Sequence, residues 1–412
     1  MGRVVDAICP PRLGRSFRWL VASSWVSNLG DGIAIAAGPL LVASETRDPV
    51  LVALAAVLQR LPWLVFGLHA GVVADRLDRR RVVVLVDLAR ALVLGVLAIS
   101  IVTDTVNVAV VLATMFVLGT AETFADVTTS TLLPMLVQKA DLGVANARLQ
   151  FGFITTNQLI GPPVGAALFA AGRAVPFVGQ AVVVAMGALL VSRIVAAAPE
   201  RHETPSPARR QIVEGLRWLW GNAPVRTLTL TILAFNITFG AAWAVLVLYA
   251  SERLGLGDIG FGLLATASAL GGVLGSWGYG WLERRVSLAD IMRGGLIIET
   301  LTHLSLAVTT FPAVAMATMF VFGVHTAAWG TTSTSIRQRA VPHEFQGRVA
   351  SVYMVSVHGS IVVGSAVGGV VARLTGVTGP FWFAFVGSAV ILVLMWRELG
   401  HIAHADHAAH GA

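Results

Sequence analysis

Cysteine is almost missing from this 412-residue chain. Cys9 is the only one, so an intrachain disulfide is excluded and thiol redox chemistry has no second sulfur to use. Charge is equally scarce: 12% of residues are Asp, Glu, Lys or Arg and 56% are hydrophobic, against about 25% and about 45–50% in an average soluble domain. A soluble fold of this size could not cover its surface with so few charges, and disorder, coiled coil and collagen fail on the same numbers. The HExxH, GxSxG and Walker A patterns do not occur. No enzyme is therefore expected, no cofactor, no metal, and no direct use of ATP.

What the chain has instead is long apolar runs, at about 17–43, 50–73, 82–102, 107–131, 150–171, 174–198, 225–250, 258–282, 288–310, 312–335, 351–372 and 378–398. A helix needs roughly 20 apolar residues to cross a bilayer. These runs have that length, not the ~10-residue alternation of barrel strands. The expected fold class is all-α: a polytopic membrane protein with 12 transmembrane helices.

The basic residues test that count through their bias toward the cytoplasmic side. With the N-terminus inside, only Arg47, Arg173, Arg253 and Arg373 fall on outer connections, and Arg60 and Arg90 fall within spans. Every other Arg, and Lys139, the only lysine, lies on the inner side, so both termini are placed in the cytoplasm. The net charge of +7 then reflects topology, and nucleic acid is not an expected partner. Arg12, Arg15 and Arg18 run straight into the first span, which reads as retained rather than cleaved.

The division into domains follows from the longest polar stretch, with Pro199, Pro205, Pro207 and Pro224. It separates residues 1–198, a first six-helix half, from residues 225–412, a second half with a polar tail. Within the 199–224 linker, Ile212, Leu216, Leu219 and Trp220 share one helical face and Arg210, Glu214 and Arg217 the other. That pattern suits a short helix lying on the inner leaflet, or else a solvated linker with accidental periodicity. The halves repeat each other at one offset of 203 positions. Thr128-Thr129-Ser130-Thr131 returns as Thr331-Thr332-Ser333-Thr334, and Gly161-Pro162-Pro163-Val164-Gly165-Ala166 aligns with Gly364-Ser365-Ala366-Val367-Gly368-Gly369. A duplicated bundle is a known transporter architecture.

Between the second and third spans lies Gly71-Val72-Val73-Ala74-Asp75-Arg76-Leu77-Asp78-Arg79-Arg80-Arg81. Gly71 suits close packing near a helix end. The acids and bases after it can pair in one gate conformation and separate in another; a basic loop that only sets topology is the alternative. This segment resembles the signature of the major facilitator superfamily, with Gly71, Ala74, Asp75, Arg76, Arg79 and Arg80 matching. Asp78 stands where that family commonly has Gly. The Asp-Arg-x-Asp-Arg-Arg form, with Leu61-Pro62, Asp87, Arg90 and Leu133-Pro134, is similar to the branch of bacterial macrolide and enterobactin exporters. Glu283-Arg284-Arg285 looks like a degraded second copy.

The resemblance implies a monomer in the bacterial plasma membrane that moves a small-molecule substrate by alternating access. It also implies a role for Asp75 in holding the outward-open state, through arginine and the start of the eleventh span. Gly161, Pro162 and Gly165 look like part of a motif of exporters that work as antiporters, with Asn157 and Ala166 replacing two of its glycines. Packing alone would also account for these small residues.

Ionisable residues inside spans are the candidates for coupling, because a charge at the bilayer centre costs roughly 3 kcal/mol or more. Asp31 is midway along the first span, Arg60 in the second, and Glu122 and Asp126 one turn apart in the fourth. His325 is the repeat equivalent of Glu122, and Glu299 lies one turn from His303 in the ninth span; His325 and Glu299 are possible cavity residues. The expected proton carriers are Asp31 and Glu122 with Arg60 as counter-charge. A structural Asp31–Arg60 pair that never titrates is the competing reading. Export of a drug-, macrolide- or siderophore-like molecule in exchange for protons is expected, and proton-coupled import or facilitated passage of a metabolite is the alternative.

Overall fold

A computed structural model describes residues 11–138, 141–195, 208–342 and 345–399; Cys9, Lys139 and the first three linker prolines lie outside them. Among the described residues nine helices are long and apolar enough to cross a bilayer. They occur in α1 (Gly14–Glu45), α2 (Pro49–Arg76), α3 (Arg79–Val102), α4 (Val108–Leu136), α9 (Ala223–Trp243), α11 (Asp258–Glu283), α12 (Leu288–Val308), α13 (Pro312–Ala340) and α14 (Gln346–Thr375). Two shorter apolar helices, α7 (Val175–Val191) and α15 (Gly379–Met395), provide the sixth and twelfth crossings.

The fifth crossing is assembled from α5 (Leu142–Gly152), a π-helical stretch Phe153–Ile160, and α6 (Gly161–Ala171). Pro162 and Pro163 supply no N–H to the carbonyls one turn back, and the helix widens immediately before them. The seventh crossing is interrupted at Ala244–Val245 and resumes as α10 (Leu246–Glu252). The linker forms α8 (Ala208–Gly221). Its Leu219 is buried with Val225, Val341, Val349 and Val352, Trp218 stacks on Phe345 at 5.9 Å, and Leu216 and Trp220 remain exposed. The side chain of Ile212 is outside the described set.

The helices sort into two compact units. Unit 1 holds the described residues of Met1–Arg47, Leu58–His202 and Gly257–Thr266; unit 2 holds those of Asp48–Val57, Glu203–Leu256 and Ala267–Ala412. The start of the second crossing thus belongs with the later helices, and the start of the eighth with the earlier ones. Within unit 1, α1 packs on α6 and α7, and α3 on α4 and α7. Within unit 2 the same pairing recurs: α9 packs on α14 and α15, and α12 on α13 and α15.

Lipid is as apolar as leucine, so such helices are held by close van der Waals fit rather than by exclusion of water. Glycine supplies the fit. A Cβ at Gly161 would overlap the Gly32 backbone, and one at Gly165 would overlap the Ile33 carbonyl. The repeat-equivalent Gly364 and Gly368 press in the same way on the carbonyls of Ile237 and Ala241. Gly119 meets the carbonyl of Gln59, and Gly323 that of Ser268. Gly161 with Gly364 and Gly165 with Gly368, aligned at the 203-residue offset, therefore make the same kind of helix crossing in their own units. Outward faces stay apolar: on α3, Leu85, Leu92, Val96, Ile99 and Val102 are all exposed, as a lipid-facing stripe requires.

Alanine at Gly161 or Gly364 should lower stability by roughly 1–3 kcal/mol, the usual cost of overpacking. Alanine at Gly294, where a Cβ meets nothing within 4 Å, should not. Thermal unfolding of the detergent-solubilised variants checks this; equal melting temperatures at all three positions would refute the crossing argument.

Candidate functional site

The inward face of α3 carries Val83, Asp87, Arg90, Leu94 and Leu97, spaced alternately by four and three residues, all of them buried. The same periodicity that buries the leucines therefore buries an acid and a base. Arg90 donates through Nη2 to Asp31 Oδ1 on α1, and its Nη1 lies 3.2 Å from Asp87 Oδ1 one turn back. Side-chain exposures are 5% for Arg90, 4% for Asp87 and 18% for Asp31, the most exposed of the three. Arg90 Nε has no hydrogen-bond partner among the described residues. Glu122, half-buried on α4, and Asp126, exposed one turn on, both lie within electrostatic reach of Arg90.

Arg60, expected beside Asp31, is exposed on α2, and Glu122 is the acid within its electrostatic reach. The guanidinium paired with Asp31 is Arg90, because Arg90 shares the buried face of its helix with Asp87. The i,i+3 spacing of Asp87 and Arg90 on an apolar periodicity is the signal that points to them.

Next to this cluster α1 meets the fifth crossing. Asn157, buried in the π-helical stretch, donates from Nδ2 to the Asn28 carbonyl at 3.3 Å, three residues before Asp31. Gly161 and Pro162 are buried, and Gly165 and Ala166 with them. On the other side of this segment, a Cβ at Gly262 would come 2.5 Å from the Ala166 Cβ and 3.2 Å from the Pro162 carbonyl oxygen. The antiporter-like residues thus form a contact between backbones on two faces.

The connection between α2 and α3 is built by a cap. Asp78 accepts from Arg80 N at 3.0 Å and Arg81 N at 3.2 Å, so this residue starts α3 where the related signature has Gly. Ser287 does the same for α12, accepting from Asp290 N at 3.1 Å. Arg79 Nε donates to the Ala74 carbonyl at 2.9 Å and Arg80 Nη1 to the Ile194 carbonyl at 3.0 Å, tying the connection to the end of the sixth crossing. Arg76, the last residue of α2, is exposed. Gly71 differs from expectation: a Cβ there would meet nothing within 4 Å among the described residues, so no close packing is seen with them. The side chain of Asp75 is outside the described set.

Unit 2 holds its own polar group, Glu299 and His303 on α12 with His325 on α13. Beside it Phe239, Trp243 and Phe322 form a contiguous stack, with ring centroids 4.5–6.0 Å apart. Among the described residues no group of three or more His, Cys, Asp or Glu side chains has the arrangement to hold a metal ion.

Comparison with known proteins gives this architecture a family. The chain is 30% identical over 288 residues to the multidrug efflux pump Tap of Mycolicibacterium fortuitum, covering 68% of this chain and 70% of that one. It is 26% identical over 363 residues to the putative bacilysin exporter BacE of Bacillus amyloliquefaciens, covering 84% and 86%. Among solved structures, a mutant of the nucleoside transporter NupG superposes with a TM-score of 0.78 at 11% identity, covering 93% of this chain and all of that one, a likeness of fold. These relatives are membrane transporters rather than enzymes. The family model for transmembrane secretion effectors matches residues 7–409, and the chain belongs to that family of major facilitator transporters.

Proposed function

We propose that the protein exports a small amphipathic molecule, of drug, macrolide or siderophore-like kind, in exchange for protons by alternating access. The observation that carries this reading is the charge imbalance of unit 1. Asp31 and Asp87 pair with one buried cation, Arg90, and the half-buried Glu122 lies within electrostatic reach of it, with the exposed Arg60 near Glu122 and the exposed Asp126 one turn on. A buried charge is tolerated only when paired, so acids in excess of bases call for a mobile positive charge. Protons supply it, and Asp31, the most exposed member of the ion-paired triad, is the residue through which they come and go. Glu122 is the second carrier and Arg90 the fixed counter-charge.

Two further points support export. Tap is named an efflux pump and BacE a putative exporter. The segment Gly161, Pro162 and Gly165 resembles the antiporter motif and makes a tight contact with α1 beside Asp31. In this reading Gly71, Asp75, Arg76, Arg79 and Arg80 belong to the cytoplasmic gate, both termini are cytoplasmic, and a monomer in the plasma membrane is the working unit.

Cells lacking the protein and cells overproducing it should differ in retention of members of a panel of macrolides, siderophores and amphipathic dyes. For a compound so identified, everted vesicles with an acidic lumen should accumulate it, and Asp31→Asn should abolish that accumulation while membrane levels persist. Undiminished pH-driven uptake by Asp31→Asn removes Asp31 from the mechanism. Accumulation into right-side-out vesicles driven by an inward proton gradient would establish import instead.

Arg90→Ala leaves Asp31 and Asp87 buried without a partner, and breaking such a pair costs about 3–5 kcal/mol. Arg90→Lys should recover part of that loss and Arg60→Ala should cost far less. Melting temperatures in detergent report the order; an Arg60 variant as damaged as the Arg90 variant would contradict the pairing.

A further inference from the structure

The polar group of unit 2 differs in kind from that of unit 1. Glu299 Oε1 lies 3.9 Å from His303 Nε2, and Glu299 Oε2 lies 3.7 Å from His325 Nε2. Both separations exceed the 2.7–3.2 Å or so of a formed hydrogen bond. None of the four imidazole nitrogens has a hydrogen-bond partner among the described residues. Side-chain exposure is 0% for His303, 4% for His325 and 13% for Glu299. Buried polar atoms left unpaired are rare in native proteins and need a reason.

The surroundings sharpen the point. Trp243 meets His303 edge-on at 6.0 Å, and Phe322 meets His325 at 5.4 Å. Gly295 admits Trp329 and His325 close to α12, since a Cβ there would lie 2.7 Å from Trp329 Cδ1 and 3.1 Å from His325 Nδ1. The groups facing Glu299 from α12 and α13 are the two histidines, and the described residues of α15 include no ionisable side chain. Several other ionisable groups on these elements and on α9 and α10 are engaged elsewhere. Arg226 donates to the Trp220 carbonyl, Tyr249 to the Leu306 carbonyl and Arg253 to the Thr309 carbonyl. Asp290 and Arg293 pair with each other, and Arg337 lies over the Tyr353 ring. No Lys or Arg among the described residues makes an ion pair with Glu299.

We propose that Glu299, His303 and His325 form a proton-binding centre of unit 2, distinct from the Asp31–Arg90–Asp87 cluster. The inference rests on the proton-exchange reading of the protein and adds a second site to it. With no fixed cation at hand, a proton is what neutralises the carboxylate. It arrives from water at Glu299, the least buried member, and is then shared between a carboxylate oxygen and the Nε2 facing it. A closure of about 1 Å makes either contact a hydrogen bond. Because each oxygen faces a different imidazole, the proton can be held toward α13 or along α12, and it leaves by the same carboxylate. No other reactant is required.

Difference infrared spectroscopy of the full-length protein in lipid vesicles, titrated between acid and alkaline pH, tests this without any transported substrate. The wild type should show a carboxylic acid band that disappears on alkalinisation. Glu299→Gln should lose one component of it, and Asp31→Asn should keep that component. His303→Gln and His325→Gln should each move its midpoint by about one pH unit, a tenfold change in proton affinity. A Glu299→Gln spectrum that superimposes on the wild type overturns the proposal. Where that variant fails to fold, unmoved midpoints in both histidine variants overturn it equally. If Asp31→Asn still transports while the Glu299 component behaves as described, the reading of Asp31 fails and this centre stands.

Discussion

A guanidinium enclosed in a helix bundle dictates the arrangement around it. Lipid offers no water to solvate Arg90, and an ionisable group at membrane depth is stable only where protein supplies its partners. Two acids do so here: Asp87 from the same helix face and Asp31 from α1. The pairing fixes the rotation of α3, whose inward face must carry residues 83, 87, 90, 94 and 97. The opposite face is then left to leucine, valine and isoleucine against lipid. It also fixes α1, because Asp31 must come within reach of Arg90 while Gly30 and Gly32 lie beside the sixth and fifth crossings. Charge and glycine thus act on the same turn of α1, and neither could be moved by a residue without losing the other.

The two units solve the packing problem alike. Gly161 and Gly165 in one, and Gly364 and Gly368 in the other, let a helix approach a backbone that any side chain would hold away. Duplicated sequence has kept the contacts that determine helix spacing. It has kept some polar residues, Asp87 and Arg90 recurring as the paired Asp290 and Arg293, but not all: Glu122, within electrostatic reach of Arg90, corresponds by the repeat to His325 beside Glu299. A position facing a bundle interior is inherited with the fold, whereas the side chain there is free to take up different chemistry.

Much of this architecture is legible in composition and spacing. Twelve crossings follow from apolar run length and arginine placement, the repeat from two segments at one offset, and the linker helix from its two-faced pattern. What resists reading is whatever depends on rotation. The sequence points to Arg60 as the partner of Asp31, and only when α3 is turned to show Asp87 and Arg90 in line with its buried leucines does Arg90 take that place. Gly71 reads as a packing glycine, yet the face it occupies is open among the described residues. Asp78 departs from the family signature and looks like a loss, but as a cap it accepts two backbone N–H groups that open α3. The π-helical stretch was invisible because one turn of widening leaves no mark on hydropathy; Pro162 and Pro163 are the local cause that could have located it.

The contrast between the units bears on how charge is managed in a bilayer. A site with a built-in cation holds its acids for as long as they are ionised, because Arg90 cannot lose its charge. A site with only a carboxylate and two imidazoles has no such anchor, and its geometry follows its occupancy. The separations of 3.7 and 3.9 Å around Glu299 are those of groups adjacent but not yet bonded. The Arg90 contacts in unit 1 are already made. One cluster is thus held by ion pairs already formed, whereas the other, on the proton-binding proposal, closes its contacts only when loaded.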